Sequence, residues 1–176
     1  MNALPATAVL FTMLTVAAIS DIRERRVPNW LNATMLVVGL LAARPWSVTL
    51  DHPGVGIAGV TVGMAIWFPM YLLRLVGAGD VKLLAASGAW LGALGTLSAS
   101  VWTAVAGGVL GVVWIVARQG TGGAVMAVAH AFRAPRLLQL RPLDRRERVP
   151  YAVAIAVGVV IAWMNANGPF PFLARG

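Results

Sequence analysis

The sequence predicts an all-α integral membrane protein with about six transmembrane helices and both termini outside. Of its 176 residues, 59% are hydrophobic and 11% are charged, whereas a soluble domain carries about 25% charged residues. Several uncharged runs approach or exceed the ~20 apolar residues that cross a bilayer core. We therefore expect a single polytopic membrane domain over residues 1–176 and no sizeable soluble domain.

Six apolar runs define the expected helices. No basic segment precedes the first run, so it is predicted to be a retained span rather than a signal peptide. Residues 83–117 carry no charge and would form a helix of roughly 50 Å, too long for a core of ~30 Å. We expect this stretch to fold as two helices divided near Gly92 and Gly95, and Pro150 to suit the first turn of the last helix. The predicted spans are 4–20, 29–43, 54–76, 81–95, 98–117 and 150–166.

The cations lie between these runs and give the expected orientation. All of the 14 Lys and Arg residues except Arg44 and Arg175 fall on one side, which the positive-inside rule makes cytoplasmic. That distribution explains the net charge of +8 without a nucleic-acid partner. The basic loop 118–149 is expected to lie on anionic lipid. Asp21 and Asp80 then share the cytoplasmic side.

Several catalytic classes are excluded by composition. The chain has no cysteine, so thiol catalysis and thiolate metal sites are absent. Its two histidines do not form a His-Glu-x-x-His pattern, which argues against a zinc protease. No metal is expected.

Two of the six acidic residues stand out by position. Four others have ordinary explanations as partners of neighbouring arginines or as a turn residue: Glu24, Asp51, Asp144 and Glu147. Asp21 ends the first span and Asp80 begins the fourth, where a carboxylate beside hydrocarbon is a functional candidate. Structural alternatives are a helix-end residue paired with an arginine for Asp21 and a helix N-cap for Asp80.

Two carboxyl groups brought close together cannot both ionise, so one keeps a proton while the other acts as a base. This is the chemistry that activates water for peptide hydrolysis. Asp21 is expected to be the more readily protonated, because a helix C-terminus disfavours negative charge and an N-terminus favours it.

The residues around Asp80 are expected to support it. Gly77 and Gly79 would allow tight backbone turns and the approach of an extended substrate. Lys82 is the only lysine. It could hold a lipid phosphate or a substrate carboxylate, tune Asp80, or serve as an ordinary positive-inside anchor.

Three stretches resemble one known family. The run DIRERRVPN at 21–29 resembles the first-aspartate signature of type IV prepilin peptidases, and GAGDVKLL at 77–84 resembles the second. The run VPYAVAIA at 149–156 is similar to the closing helix of the short TadV/CpaA branch, whose members belong to the Gly-x-Gly-Asp class of membrane aspartyl proteases.

The resemblance implies an aspartyl endopeptidase that removes the basic leader from pilin and pseudopilin precursors of Flp-type pili. It would act at the cytoplasmic face of the bacterial inner membrane, without a cofactor. Asp21 and Asp80 would be catalytic, and the supporting or substrate-binding residues would be Gly77, Gly79, Lys82, Pro28 and Asn29. Larger members also methylate the new N-terminus and carry a domain with paired cysteines. Without cysteine or room for that domain, this chain is expected to process without methylation.

The main alternative is a proton- or cation-coupled transporter subunit that uses the same aspartates. It predicts ionisable groups near the middle of the membrane and an internal repeat. A presenilin-like protease shares the Gly-x-Gly-Asp element but would place its first aspartate differently. A rhomboid-like serine protease fits less well, because Ser87-Gly88 lacks the glycine of Gly-x-Ser-Gly. A purely structural membrane subunit is the last alternative.

Overall fold

The computed structural model describes residues 4–42, 54–73, 75–133 and 149–167, and within these ranges the chain forms helices and no strand. The all-α prediction is thus confirmed. The helices are α1 (Leu4–Glu24), α2 (Asn29–Ala42), α3 (Gly54–Leu72), α4 (Ala78–Arg133) and α5 (Tyr151–Asn167).

Helix α4 reverses direction at Gly92. Its 56 residues would extend about 84 Å if straight. However, a methyl group on Gly88 would lie 2.9 Å from Oγ1 of Thr96, although eight helical residues advance about 12 Å. Gly92 has φ 69°, a left-handed conformation that glycine adopts without steric cost. Residues 78–91 and 93–133 therefore form two arms, and the reversal lies at one of the two glycines expected from the sequence.

Both arms pack along α3. A methyl group on Gly63 would lie 3.0 Å from Cα of Ala85 in the first arm and 3.4 Å from Cγ2 of Thr96 in the second. One α3 turn onward, Nε1 of Trp67 donates a hydrogen bond to Oγ of Ser100 at 3.1 Å. The small residue at position 63 lets the backbones approach closely, a packing that small residues also give in membrane helices.

Helices α1 and α5 run antiparallel. Phe11 and Trp163 meet edge to face with ring centroids 5.2 Å apart, whereas at the other end Asp21 meets Ala152. Gly158 of α5 is packed against Thr103 and Ala99 of α4. This packing brings the start of α5 to the level where α1 ends and α4 begins.

The exterior of the bundle is largely apolar. On the second arm, Val101, Val105, Val109 and Val113 recur every four residues and are all exposed, which gives one helix face an apolar stripe. Continuous exposed apolar surface of this kind marks a membrane or interaction surface. By length and composition, Ala78–Ala117 qualifies as a candidate membrane span, and there are three shorter apolar helices, Asn29–Leu41, Gly56–Leu72 and Tyr151–Ala166. The six-span topology stays a prediction.

The predicted loop 118–149 is helical up to Arg133. No proline occurs after Pro69 until Pro135. Every main-chain N–H in between can therefore donate to the preceding turn, and the helix can continue past the predicted boundary. Both chain termini, Asp51, Arg74 and positions 134–148 lie outside the described residues. The structure therefore does not test the expected location of the termini.

Candidate active site

Asp21 lies in the last turn of α1, where the chain turns out of the helix. The N–H of Arg25 donates to the main-chain carbonyl of Asp21 at 3.0 Å, and Arg25 has φ 55°. This is the αL termination motif. It ends α1 at Glu24, one turn after Asp21, and the side chain of Asp21 points into the bundle, where only 6% of the residue is exposed.

The carboxylate of Asp21 caps a different helix. The N–H of Ala152 donates to its Oδ2 at 2.9 Å. Ala152 is in the first turn of α5, where main-chain N–H groups have no partner within their own helix and the helix dipole favours negative charge. From the sequence, an arginine is the expected structural partner of Asp21. The hydrogen bond goes to Ala152, while the guanidinium of Arg25 lies 4.7 Å from the ring centroid of Trp114.

Asp21 lies beyond the predicted first span, 4–20, and its ionisation is governed by burial. Burial raises the pKa of the Asp21 carboxyl, and the Ala152 hydrogen bond and the charge of Arg25 oppose that rise. The direction agrees with the expectation that Asp21 holds a proton readily. The main cause is different, because the rise comes from removal of the carboxyl from water, which penalises the charged form.

Asp80 is the third residue of α4, and it forms hydrogen bonds with Gly77, three residues earlier in the chain. The carbonyl of Gly77 accepts from the N–H groups of Asp80 at 3.1 Å and Val81 at 3.3 Å. In return, the N–H of Gly77 donates to Oδ2 of Asp80 at 3.1 Å. Gly77 is therefore the N-cap and Asp80 the N3 residue, whose carboxylate reaches back to the N-cap N–H as in one half of a capping box. The expected alternative, Asp80 as the N-cap itself, is wrong by three positions.

Gly77 and Gly79 do not use the left-handed backbone that glycine allows, and their expected part in admitting an extended substrate stays a prediction. Among the described glycines only Gly92 has a positive φ. Gly77 is required for close approach, because a methyl group there would lie 3.0 Å from Oδ2 of Asp80. At Gly79 the nearest atom would be Cβ of Val27 at 3.6 Å, which is an ordinary contact.

The first turn of α2 holds the segment that carries Asp80. The carbonyl of Pro28 starts this helix by accepting from Leu31 at 3.2 Å. Nζ of Lys82 donates to Oδ1 of Asn29 at 3.2 Å, and Nδ2 of Asn32 donates to the carbonyl of Gly79 at 3.3 Å. The predicted supporting residues thus gather beside Asp80, and the described partner of Lys82 is an asparagine.

The first turn of α5 connects the two aspartates. Ala152 contacts Asp21, and its neighbour Tyr151 lies close enough to Asp80 for the aspartate's charge to act on the phenol. The Tyr151 ring is tilted against Trp67 with centroids 5.7 Å apart. On the other side it packs against Gly107, where a Cβ would overlap the ring.

Sequence reasoning missed Asn32, Trp67, Tyr151 and Ala152 as parts of this site. The sequence predicts the 149–156 stretch as the start of the last span and as a family resemblance, but its position beside both aspartates comes from the packing of α5 against α1 and α4. Asn32 had a detectable signal, since it is a polar residue three positions from Asn29 inside an otherwise apolar run.

An apolar groove of about 370 Å³ lies beside this site, between α5 and the second arm of α4. It begins at Val153, the residue after Ala152. Its lining consists of Trp102, Val105, Ala106, Val109, Leu110, Val113, Val153, Ala154, Val157 and Ile161. Across the described parts of the chain, no group of three or more His, Cys, Asp or Glu side chains could hold a metal ion.

Comparison with known proteins assigns the family. The family model for type IV leader peptidases matches residues 8–112, more than half of the chain and a range that includes both aspartates. The chain belongs to the type IV leader peptidase family. Helix α5 lies beyond the matched range, so its contacts with the aspartates are an observation independent of the match.

A relative of this leader peptidase supports the same assignment. The chain is 32% identical over 91 residues to a prepilin leader peptidase/N-methyltransferase of Klebsiella pneumoniae. The match covers 48% of this chain and 39% of the relative, so it spans about two fifths of that protein's length. No solved structure matches the chain.

Proposed function

We propose that this leader peptidase is an aspartyl endopeptidase that removes the basic leader from prepilins and pseudopilins, those of Flp-type pili in particular. Asp21 and Asp80 form its catalytic pair. The observation that carries the proposal is their convergence on one turn of α5, with Asp21 bonded to Ala152 and Asp80 acting on Tyr151. Both aspartates also lie within the family match.

The two carboxyls take different roles in the proposed reaction. Asp21 is buried, and burial raises the pKa of its carboxyl, so it is the better candidate for the protonated partner that polarises the scissile carbonyl. Asp80 then acts as the base that takes a proton from the attacking water. The new C–O bond forms as the carbonyl π bond opens to a tetrahedral intermediate, which Asp21 protonates at oxygen. The C–N bond then breaks as the carbonyl re-forms and Asp80 passes the proton from water to the leaving amine.

The helix ends favour this function over the transporter alternative. Asp21 lies in the last turn of α1 and Asp80 in the first turn of α4. A proton relay through the bilayer would place ionisable groups along the interior of the spans. Carboxyls at helix ends can instead reach a peptide bond at the membrane boundary.

The proposed substrate has a cationic leader followed by an apolar segment. The groove beside Val153 is lined only by apolar side chains and begins one residue from Ala152, so its chemistry suits the apolar segment. We place the enzyme in the bacterial inner membrane as a multi-pass protein, with lipid and pilin precursors as its partners, no nucleic acid, no cofactor and no methylation step.

The test is co-expression of the chain with a candidate pilin precursor, with leader removal followed by gel mobility. Asp21→Asn and Asp80→Asn should each reduce processing by at least about a hundredfold, the lower bound for loss of a general acid or base. Glu24→Gln is the matched control, because Glu24 is three residues from Asp21 and its side chain is 58% exposed. Full processing by both asparagine variants, with normal membrane insertion, would sink the proposal.

The cytoplasmic location of the site is tested separately. The chain has no cysteine, so Ile22→Cys introduces a single thiol at a position that is 53% exposed. An impermeant maleimide should label it only after the membrane is permeabilised. Labelling of intact cells at this position would overturn the orientation and leave the catalytic pair to be judged by the processing assay.

A further inference from the structure

We propose that Asn32 is a positioning residue that sets the direction of Asp80 through the main chain of Gly79. This inference rests on the proposed function of Asp80. Asn32 lies in the first turns of α2 and is 4% exposed. Its Nδ2 donates to the carbonyl of Gly79 at 3.3 Å, one residue before Asp80.

The orientation of the Asn32 amide is determined by this contact. The Gly79 carbonyl can only accept, so the NH₂ end of the amide must face it. The opposite atom, Oδ1, is buried and has no hydrogen-bond partner within the described ranges. A buried acceptor without a partner is unfavourable, so this side chain is a poor choice for stability alone.

The bond is also not required to satisfy the Gly79 carbonyl. Gly79 is the second residue of α4, and a regular helix pairs its carbonyl with the N–H of residue 83. Asn32 therefore adds a second hydrogen bond to a group that already has one. The added bond restrains where the first turn of α4 lies.

Two hydrogen bonds from α2 hold residues on either side of Asp80 in the sequence. Asn32 holds Gly79 on one side, and Asn29 holds Lys82 on the other through an exposed contact of 3.2 Å. The buried hydrogen bond is the stronger restraint, since an exposed pair competes with water. Val27 also packs against Gly79. We therefore expect removal of Asn32 to leave this segment in place while the Asp80 carboxylate becomes less precisely oriented.

The test measures activity and stability in the same variants of the full chain. Asn32→Leu replaces the amide with an apolar group of similar volume and removes the unsatisfied Oδ1. We expect kcat for the pilin precursor to fall roughly tenfold, with KM within about twofold, because positioning acts on the reacting geometry. The midpoint of thermal unfolding in detergent should stay unchanged or rise.

A matched control is Thr103→Val. Thr103 is fully buried and its Oγ1 also has no partner in the described part of the chain, but it packs against Gly158 rather than the Asp80 segment. It should keep the wild-type kcat. Wild-type kcat in Asn32→Leu, or a fall in kcat matched by a large loss of thermal stability, would overturn the inference.

A third variant tests the donor itself. In Asn32→Asp the protonated carboxyl can donate to Gly79 as the amide does, whereas the ionised form repels that carbonyl. Its activity should exceed that of Asn32→Leu at the acidic end of the assay range, each relative to wild type at the same pH. Equal activities across the range contradict a donor role. Retained processing by Asp21→Asn and Asp80→Asn would instead refute the proposed function.

Discussion

Asp21 and Asp80 both lie at helix ends, yet their surroundings have different origins. Oδ2 of Asp80 accepts from Gly77, three residues earlier in the chain. Oδ2 of Asp21 accepts from Ala152, which is 131 residues away. One carboxylate caps the start of its own helix, and the other caps the start of another.

This difference indicates how each aspartate responds to change. The Asp80 arrangement can form as soon as α4 begins, because a capping box needs only neighbouring residues. The Asp21 arrangement exists only when α5 is packed against α1. We therefore expect the environment of Asp21 to report on tertiary packing and that of Asp80 to report on the local Gly77–Lys82 segment.

The largest effect on the free energy of unfolding is expected when an aspartate that accepts a main-chain hydrogen bond is replaced by alanine. Asp21→Ala leaves the N–H of Ala152 buried without a partner and opens a small cavity, at a cost of about 2–4 kcal/mol. Asp80→Ala removes a capping acceptor from a partly buried N–H and should cost about 0.5–1 kcal/mol. Thermal unfolding in detergent measures both, and equal losses would remove the distinction between the two regions.

The contact between α4 and the start of α5 provides the next test. Gly107→Ala places a methyl group against the Tyr151 ring and should destabilise the fold by about 1–3 kcal/mol. Gly108→Ala is its matched control, since a Cβ at Gly108 meets nothing within 4 Å. That variant should be neutral or slightly stabilising. A comparable loss in both variants would argue against close packing at Tyr151.

The Asp80 segment can be perturbed without touching Asp21. Gly77→Ala brings a methyl group within 3.0 Å of the Asp80 carboxylate, whereas Gly79→Ala meets Val27 at 3.6 Å. We expect cleavage of the precursor to fall roughly tenfold in the first variant, because small displacements of a reacting group are costly. The second should stay within about twofold of wild type. The opposite order would show that the segment is limited by Val27.

The smallest effect expected is on the pH dependence of stability. The folded-state pKa of Asp21 is raised above the unfolded value of 3.8, so the stability it contributes is complete below that value and is lost as pH rises through the folded pKa. The unfolding midpoint of wild type should therefore fall relative to Asp21→Asn between pH 4 and pH 7. A constant difference over this range would contradict the raised pKa. Glu24→Gln, at an exposed position, should follow wild type.

Much of the fold could be read from the sequence because it depends on composition and chain geometry. The uncharged stretch 83–117 is too long for one crossing, and the reversal is at Gly92, where φ is 69°. The helix continues to Arg133, which the charge pattern did not indicate, because arginines mark a membrane boundary and do not end a helix.

The sequence by itself identified the two aspartates and their flanking motifs, and it indicated a capping role for Asp80, although Gly77 is the N-cap and Asp80 the N3 residue. These features involve neighbouring residues or the rarity of carboxylates beside apolar runs. Only the tertiary structure placed Ala152 beside Asp21 and Tyr151 near Asp80, and brought Asn32 to the Gly79 carbonyl. Such contacts join residues distant in sequence, and their formation depends on how antiparallel helices pack, which no spacing along the chain encodes.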